Sequence, residues 1–168
     1  YARHGLQPDI VTMGKPMGNG HPIAAMVARP EVLAAFADDM RYFNTFGGNP
    51  VAIAAAQATL DVLNDEGLIE NARVIGAKIA DRMPGLGPRI GEVRGAGLFV
   101  GVDLVSPDGE PDEAFTLDVV NALRDRHVLL STTGVHNSTL KIRPPLVFDD
   151  ADADRLLTEL DAALHQFG

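Results

Sequence analysis

Pro8-Asp9-Ile10-Val11-Thr12-Met13-Gly14-Lys15-Pro16-Met17-Gly18-Asn19-Gly20-His21-Pro22 is the stretch on which the reading of this chain turns. The short apolar run Ile10 to Met13 has the length and composition of a buried strand, and it stops at a lysine. A glycine-rich turn follows at once, with Gly18-Asn19-Gly20 favouring positive φ. A lysine at a strand end is held in place by the strand, while the turn leaves open space above its amine. That arrangement suits Schiff-base formation with a carbonyl group. The competing reading is a solvated loop lysine, and the surrounding residues have to decide between them.

Working outward, Ile23 to Ala28 reads as a second strand and Pro30 opens a short helix through about Phe36. A glycine-rich bend, Phe46 to Pro50, leads into a long helical stretch from Val51 to about Met83. Gly67 interrupts that stretch and predicts two helices in tandem, the second burying Leu68, Ile69, Val74 and Ile75. Leu60, Val62 and Leu63 extend the apolar face of the first. The breaker cluster Pro84 to Pro88 is the expected junction. Beyond it lie strands at Ile90 to Arg94 and Leu98 to Val105, an acidic turn, and a helix from Ala114 to Arg126. A strand pair follows at Val128 to Ser131 and Thr139 to Ile142. A last helix begins near Asp150, with Leu156, Leu157, Leu160 and Leu164 on one face.

The chain has 168 residues, 46% of them apolar and 22% charged, as in an ordinary globular protein. Its 14 lysines and arginines against 23 acidic residues leave a formal charge of −9. That balance argues against nucleic acid or an anionic membrane surface as a partner. No run approaches the roughly 20 apolar residues of a membrane span. There is no cysteine, hence no disulfide, thiolate nucleophile or cysteine-bound metal, and the expected setting is cytoplasmic. The histidines are scattered without metal-ligand spacing, so no metal is assigned. Gly18 and Gly20 lack the strand-turn-helix context of a dinucleotide fingerprint.

Three blocks carry a resemblance to a known family: Asp9 to Lys15, the run Phe43-Asn44-Thr45-Phe46-Gly47-Gly48-Asn49-Pro50, and Lys141-Ile142-Arg143-Pro144-Pro145-Leu146. In order and spacing they resemble the C-terminal part of the class III (subgroup II) aminotransferases, which depend on pyridoxal 5'-phosphate. The motifs are nearest to the alanine-glyoxylate aminotransferases and to the phospho-lyases of phosphoethanolamine or phosphohydroxylysine. The resemblance implies an α/β architecture of fold type I. Residues 1–50 would end the large cofactor domain, 51–83 form a helical connector, and 84–168 the small C-terminal α/β domain. It also implies that most of the large domain is missing. The missing part would include the acid facing the pyridine nitrogen, the glycine-rich phosphate cradle and the aromatic residue stacked on the ring.

By the same resemblance Lys15 holds the cofactor as a Schiff base and then acts as the base. Thr45 donates to the cofactor phosphate of the neighbouring subunit in a homodimer with shared sites, and Asn44, adjacent to it, is a further cofactor-binding candidate. From the residues themselves, Thr45 next to Gly47 and Gly48 suits close approach to an anion, or equally a cap for the helix starting near Pro50. Lys141 and Arg143 form the expected substrate-anion site. Strand alternation would put them on one face, free for a carboxylate or phosphate or else salt-bridged to the acidic last helix. Arg94, in Val93-Arg94-Gly95-Ala96-Gly97, reads as structural, and His21 as a loop histidine. The implied activity is amino-group transfer from an amine or amino acid to a 2-oxo acid or glyoxylate. Phosphate elimination from a phospho-amine is the alternative within the same chemistry. An inactive fragment or interaction module is the alternative outside it.

Overall fold

Gly67 divides the chain. It takes φ +61°, the left-handed conformation that ends helices, directly after the helix Pro50–Asp65 and its cap Glu66. The computed structural model describes residues 1–167, and it separates them at this point into two units, Tyr1–Glu66 and the residues from Gly67 onward.

In the first unit, strands β1 (Ile10–Met13) and β2 (Ala25–Ala28) form an antiparallel ribbon with Ile10 opposite Ala28 and Met13 opposite Ala25. The Arg29 amide donates to the Asp9 carbonyl at 3.0 Å, which extends the ribbon by one step. The 3-10 turn Lys15–Gly18 leaves the end of β1. Helix α1 (Pro30–Asp39) has proline at its first position, and helix α2 (Pro50–Asp65) is capped by Asn49, whose side chain accepts from the Ala52 amide at 3.0 Å. Only Gly18 and Ala52 are buried among the described residues of this unit. Leu60 and Val62, expected on the inner face of α2, are 51% and 45% exposed.

The second unit holds the hydrophobic core. It begins with helix α3 (Leu68–Arg82) and continues through strands β3 (Ile90–Ala96) and β4 (Phe99–Leu104) and helix α4 (Glu113–Asp125). Strands β5 (Ser131–Thr133) and β6 (Thr139–Ile142) follow, and helix α5 (Asp150–Phe167) ends the unit. The four strands make one antiparallel sheet in the order β3-β4-β6-β5. Alternation sorts its two faces. On the inner face Val100 and Val102 pair with Ile142 and Leu140, and these four and Leu104 are all at 2% exposure or less. Ile75, Ile79, Phe115, Val119, Leu123, Leu157 and Leu160 from the three helices complete that core. The outer face carries Gly101, Asp103, Thr139 and Lys141.

Two expected details differ. Ile69 and Val74 are 71% and 48% exposed, because the buried stripe of α3 runs Leu68, Ile75, Gly76, Ile79 at helical spacing. Val128 to Leu130 is not strand. The chain instead closes α4 with His127 at φ +62° and the Val128 amide donating to the Leu123 carbonyl at 2.9 Å, so β5 starts only at Ser131. The Pro84–Pro88 cluster falls within the second unit, where Met83–Leu86 is a short 3-10 turn.

Candidate active-site elements

Lys15 stands where β1 gives way to the 3-10 turn. Gly14 is fully extended, with φ −171°, and Lys15 itself takes φ +47°. The left-handed conformation costs a residue with a Cβ about 1 kcal/mol or more. Here it is held by the turn that follows, in which the Met17 amide donates to the Gly14 carbonyl at 3.3 Å and the Asn19 amide to the Pro16 carbonyl at 2.9 Å. The side chain is exposed and makes no ion pair or hydrogen bond among the described residues. The turn therefore presents a primary amine with no partner among the described residues. His21, in the same loop, is partly exposed, and its amide donates to the Gly18 carbonyl.

The Phe43–Pro50 bend is organised by its two asparagines. The Asn44 carboxamide oxygen accepts from the amides of Phe46 (3.1 Å) and Gly47 (2.8 Å), and its nitrogen donates to the Tyr42 hydroxyl at 3.1 Å. A Cβ on Gly47 would lie 2.5 Å from that nitrogen and would push the Asn44 carboxamide aside. Asn49 caps α2, which removes capping as the task of Thr45. The amides of Phe46 and Gly47 are taken by Asn44 and are not free for an anion. Thr45 is exposed, and its hydroxyl makes no hydrogen bond among the described residues.

Lys141 and Arg143 belong to the second unit. β6 ends at Ile142, so Arg143 lies just beyond it and strand alternation does not reach that residue. The two nevertheless line one open cavity of about 530 Å³ with Leu129, Pro144, Phe148 and Asp152. They are not salt-bridged to the last helix. Asp150 and Asp154 are held by Lys78 at 2.6 and 2.8 Å, and Asp154 also by Arg82 at 2.5 Å. A third cation, Arg155 of α5, lines the same cavity. Its sequence signal is faint: one arginine directly after the acidic run Asp149 to Asp154.

Arg94 is structural. On β3 opposite Gly101 of β4, which is itself opposite Lys141 of β6, it extends along the outer face to grip Asp103 at 2.6 and 3.0 Å. Asp103 also accepts from the Thr139 hydroxyl at 2.5 Å. The Arg94 guanidinium, with Thr139 assisting, holds the Asp103 carboxyl below its ordinary range against the opposing effect of burial. Arg89 plays a comparable part at the base of α4. It pairs with the helix-capping Asp112 at 2.8 Å, donates to the Val105 carbonyl, and lies 3.6 Å over the Phe115 ring.

The likeness to solved phospholyase and aminotransferase structures places the chain in fold type I of the α/β class. The class III aminotransferase family matches residues 1–164, and the chain belongs to it. A Caenorhabditis elegans ethanolamine-phosphate phospho-lyase homolog is 43% identical over 95% of the chain and 36% of that protein. A Drosophila melanogaster alanine-glyoxylate aminotransferase 2-like protein is 45% identical over 89% of the chain and 32% of that protein. Among solved structures, an Arthrobacter phospholyase in complex with phosphoethanolamine superimposes with a TM-score of 0.92. It is 42% identical and matches 97% of the chain and 40% of its own. The chain thus spans about a third of the length of the curated relatives it matches.

The family's cofactor is pyridoxal 5'-phosphate. What this chain presents suits it: at a strand end, the Lys15 amine, and in the glycine-rich bend, the Thr45 hydroxyl, both without a hydrogen-bond partner among the described residues.

Proposed function

We propose that this chain is the catalytic-lysine and small-domain part of a pyridoxal-phosphate enzyme that transfers an amino group from an amine or amino acid to a 2-oxo acid or glyoxylate. Residues 1–50 would close the large domain, 51–83 connect, and 84–168 form the small domain. The observation that carries the reading is Lys15, held at φ +47° at a strand end with its amine free. Strain retained at a lysine with no structural partner is what a site residue would show.

When bound, the cofactor supplies an electron sink for a carbanion. Lys15 Nζ supplies the amine that captures a carbonyl carbon and, once released, a tethered base that carries a proton beside the substrate carbon. The Thr45 hydroxyl donates to a phosphate oxygen of the neighbouring subunit's cofactor in a homodimer. Asn44 serves that role indirectly by fixing the bend. Lys141 and Arg143 bind the substrate anion.

Elimination of phosphate from a phospho-amine is the second reading. It is favoured by the phospho-lyase likeness and uses the same lysine.

The test is to mix the chain with pyridoxal phosphate, reduce with borohydride and map the labelled peptide. A single adduct on Lys15, absent in Lys15→Ala, is expected. Labelling spread over exposed lysines at equal yield would sink the assignment. In the parent enzyme, phosphate released from phosphoethanolamine without any keto acid would select the second reading.

A further inference from the structure

From Gly67 onward the sequence has ten lysines and arginines against sixteen aspartates and glutamates, so acidic partners are plentiful. Seven of the ten cations hold one. The three that make neither an ion pair nor a side-chain hydrogen bond among the described residues are Lys141, Arg143 and Arg155, and all three line the same 530 Å³ cavity. Arg155 sits one residue after Asp154, yet Asp154 is taken by Lys78 and Arg82 from α3. The one carboxylate lining the cavity is Asp152. It accepts from the Asp149 amide at 3.3 Å, while the Asp149 carboxylate accepts from the Asp152 amide at 2.9 Å. Three cations against one carboxylate leave a surplus of two positive charges in an otherwise acidic unit. The cavity volume is in the range of small-molecule sites, roughly 300–1,000 Å³.

We propose that Arg155 is a third anion ligand of this cavity, and that with Lys141 and Arg143 it selects a doubly charged small anion over a monocarboxylate. A phosphomonoester and a dicarboxylate share that chemistry. β6 and α5 hold Lys141 and Arg155 on regular elements, so the charges are placed without ordering a loop at either. The proposal rests on the reading of Lys141 and Arg143 as substrate-anion residues. It adds a third residue, and a preference for two negative charges over one, to that reading.

The test titrates the full chain with inorganic phosphate, succinate and acetate at low ionic strength, following backbone amide shifts by NMR. Phosphate or succinate should bind at least tenfold more tightly than acetate, with shifts clustered at 129–131, 141–145 and 152–156. Arg155→Gln should weaken the dianion by about tenfold, the usual scale for one charge-assisted hydrogen bond, and Arg155→Lys by less. Arg155 is exposed and unpaired, so the variants should keep the wild-type melting temperature. Loss of binding in Lys141→Gln and Arg143→Gln with wild-type affinity in Arg155→Gln would overturn the role of Arg155 and leave the substrate-anion reading standing. Equal affinity for acetate would overturn the charge selectivity. No dianion binding by the wild-type chain would overturn both.

Discussion

Gly76 and Gly85 separate packing from composition at the scale of a residue. A Cβ at Gly76 of α3 would lie 2.0 Å from the Gly97 carbonyl oxygen and 2.3 Å from its carbon, both fixed backbone in the β3–β4 turn. Nothing within 4 Å would meet a Cβ at Gly85. Gly76→Ala should therefore cost about 1–3 kcal/mol by forcing helix and turn apart, whereas Gly85→Ala should stay within about 0.5 kcal/mol of wild type. Urea midpoints of the two variants check this, and equal midpoints would contradict the close approach. Single residues were legible where their chemistry is local. Lys15 stood out because a strand signal ends on it, and the structure adds its positive φ. Asn44 reads from the sequence as a cofactor-binding neighbour of Thr45. Only coordinates reveal that its side chain occupies two amides of the bend, because that depends on turn geometry rather than residue type.

The outer face of the small sheet is the element whose behaviour follows from one ion pair. Arg94 of β3, Asp103 of β4 and Thr139 of β6 tie three strands together. The Asp103 carboxyl is held below its ordinary value of 3.8, first by the Arg94 hydrogen bond and less by Thr139. A carboxylate whose folded value is depressed contributes stability fully above the unfolded value and loses it as pH falls through the folded one. The wild-type chain should thus lose this contribution below about pH 4, and Asp103→Asn should start lower at pH 7 and show a shallower acid decline. Thermal melts from pH 7 to pH 2.5 check it; parallel declines would contradict the linkage. Most elements were readable because hydrophobic period and breakers agree: β1, β6, the split at Gly67 and the leucine face of α5 lie where the sequence puts them. β5 did not, because Val128 and Leu130 are apolar and β-prone while the end of α4 takes their backbone first. The inner stripe of α3 was misphased by the apolar pairs Leu68-Ile69 and Val74-Ile75. In each pair one member faces outward, and composition alone cannot choose which.

At the scale of the whole molecule the two units differ in what they can bury. The unit from Gly67 onward closes a core in which Ile79, Val102, Leu104, Val119, Leu123, Leu140 and Leu160 are wholly shielded. The unit 1–66 leaves Tyr42, Phe43, Phe46, Ile10 and Met26 between 49% and 86% exposed, with a ribbon of two strands as its only sheet. Two strands without a covered apolar face are marginal in water, and free energy of local opening follows buried contact. Native-state hydrogen exchange on the full chain should therefore divide at Gly67. Amides of β4, β6, α4 and α5 should exchange only through global opening, and those of β1, β2 and α1 orders of magnitude faster. Uniform protection across both units would show that residues 1–66 are stabilised by something other than their own core. The same asymmetry bears on the proposed function. The lysine proposed to do the chemistry sits in the unit with least of its own support, while the cations proposed to bind the substrate anion sit in the well-packed one. Adding pyridoxal phosphate should then slow exchange around Lys15 far more than around Lys141, because a ligand stabilises most where opening is cheapest and its contacts lie.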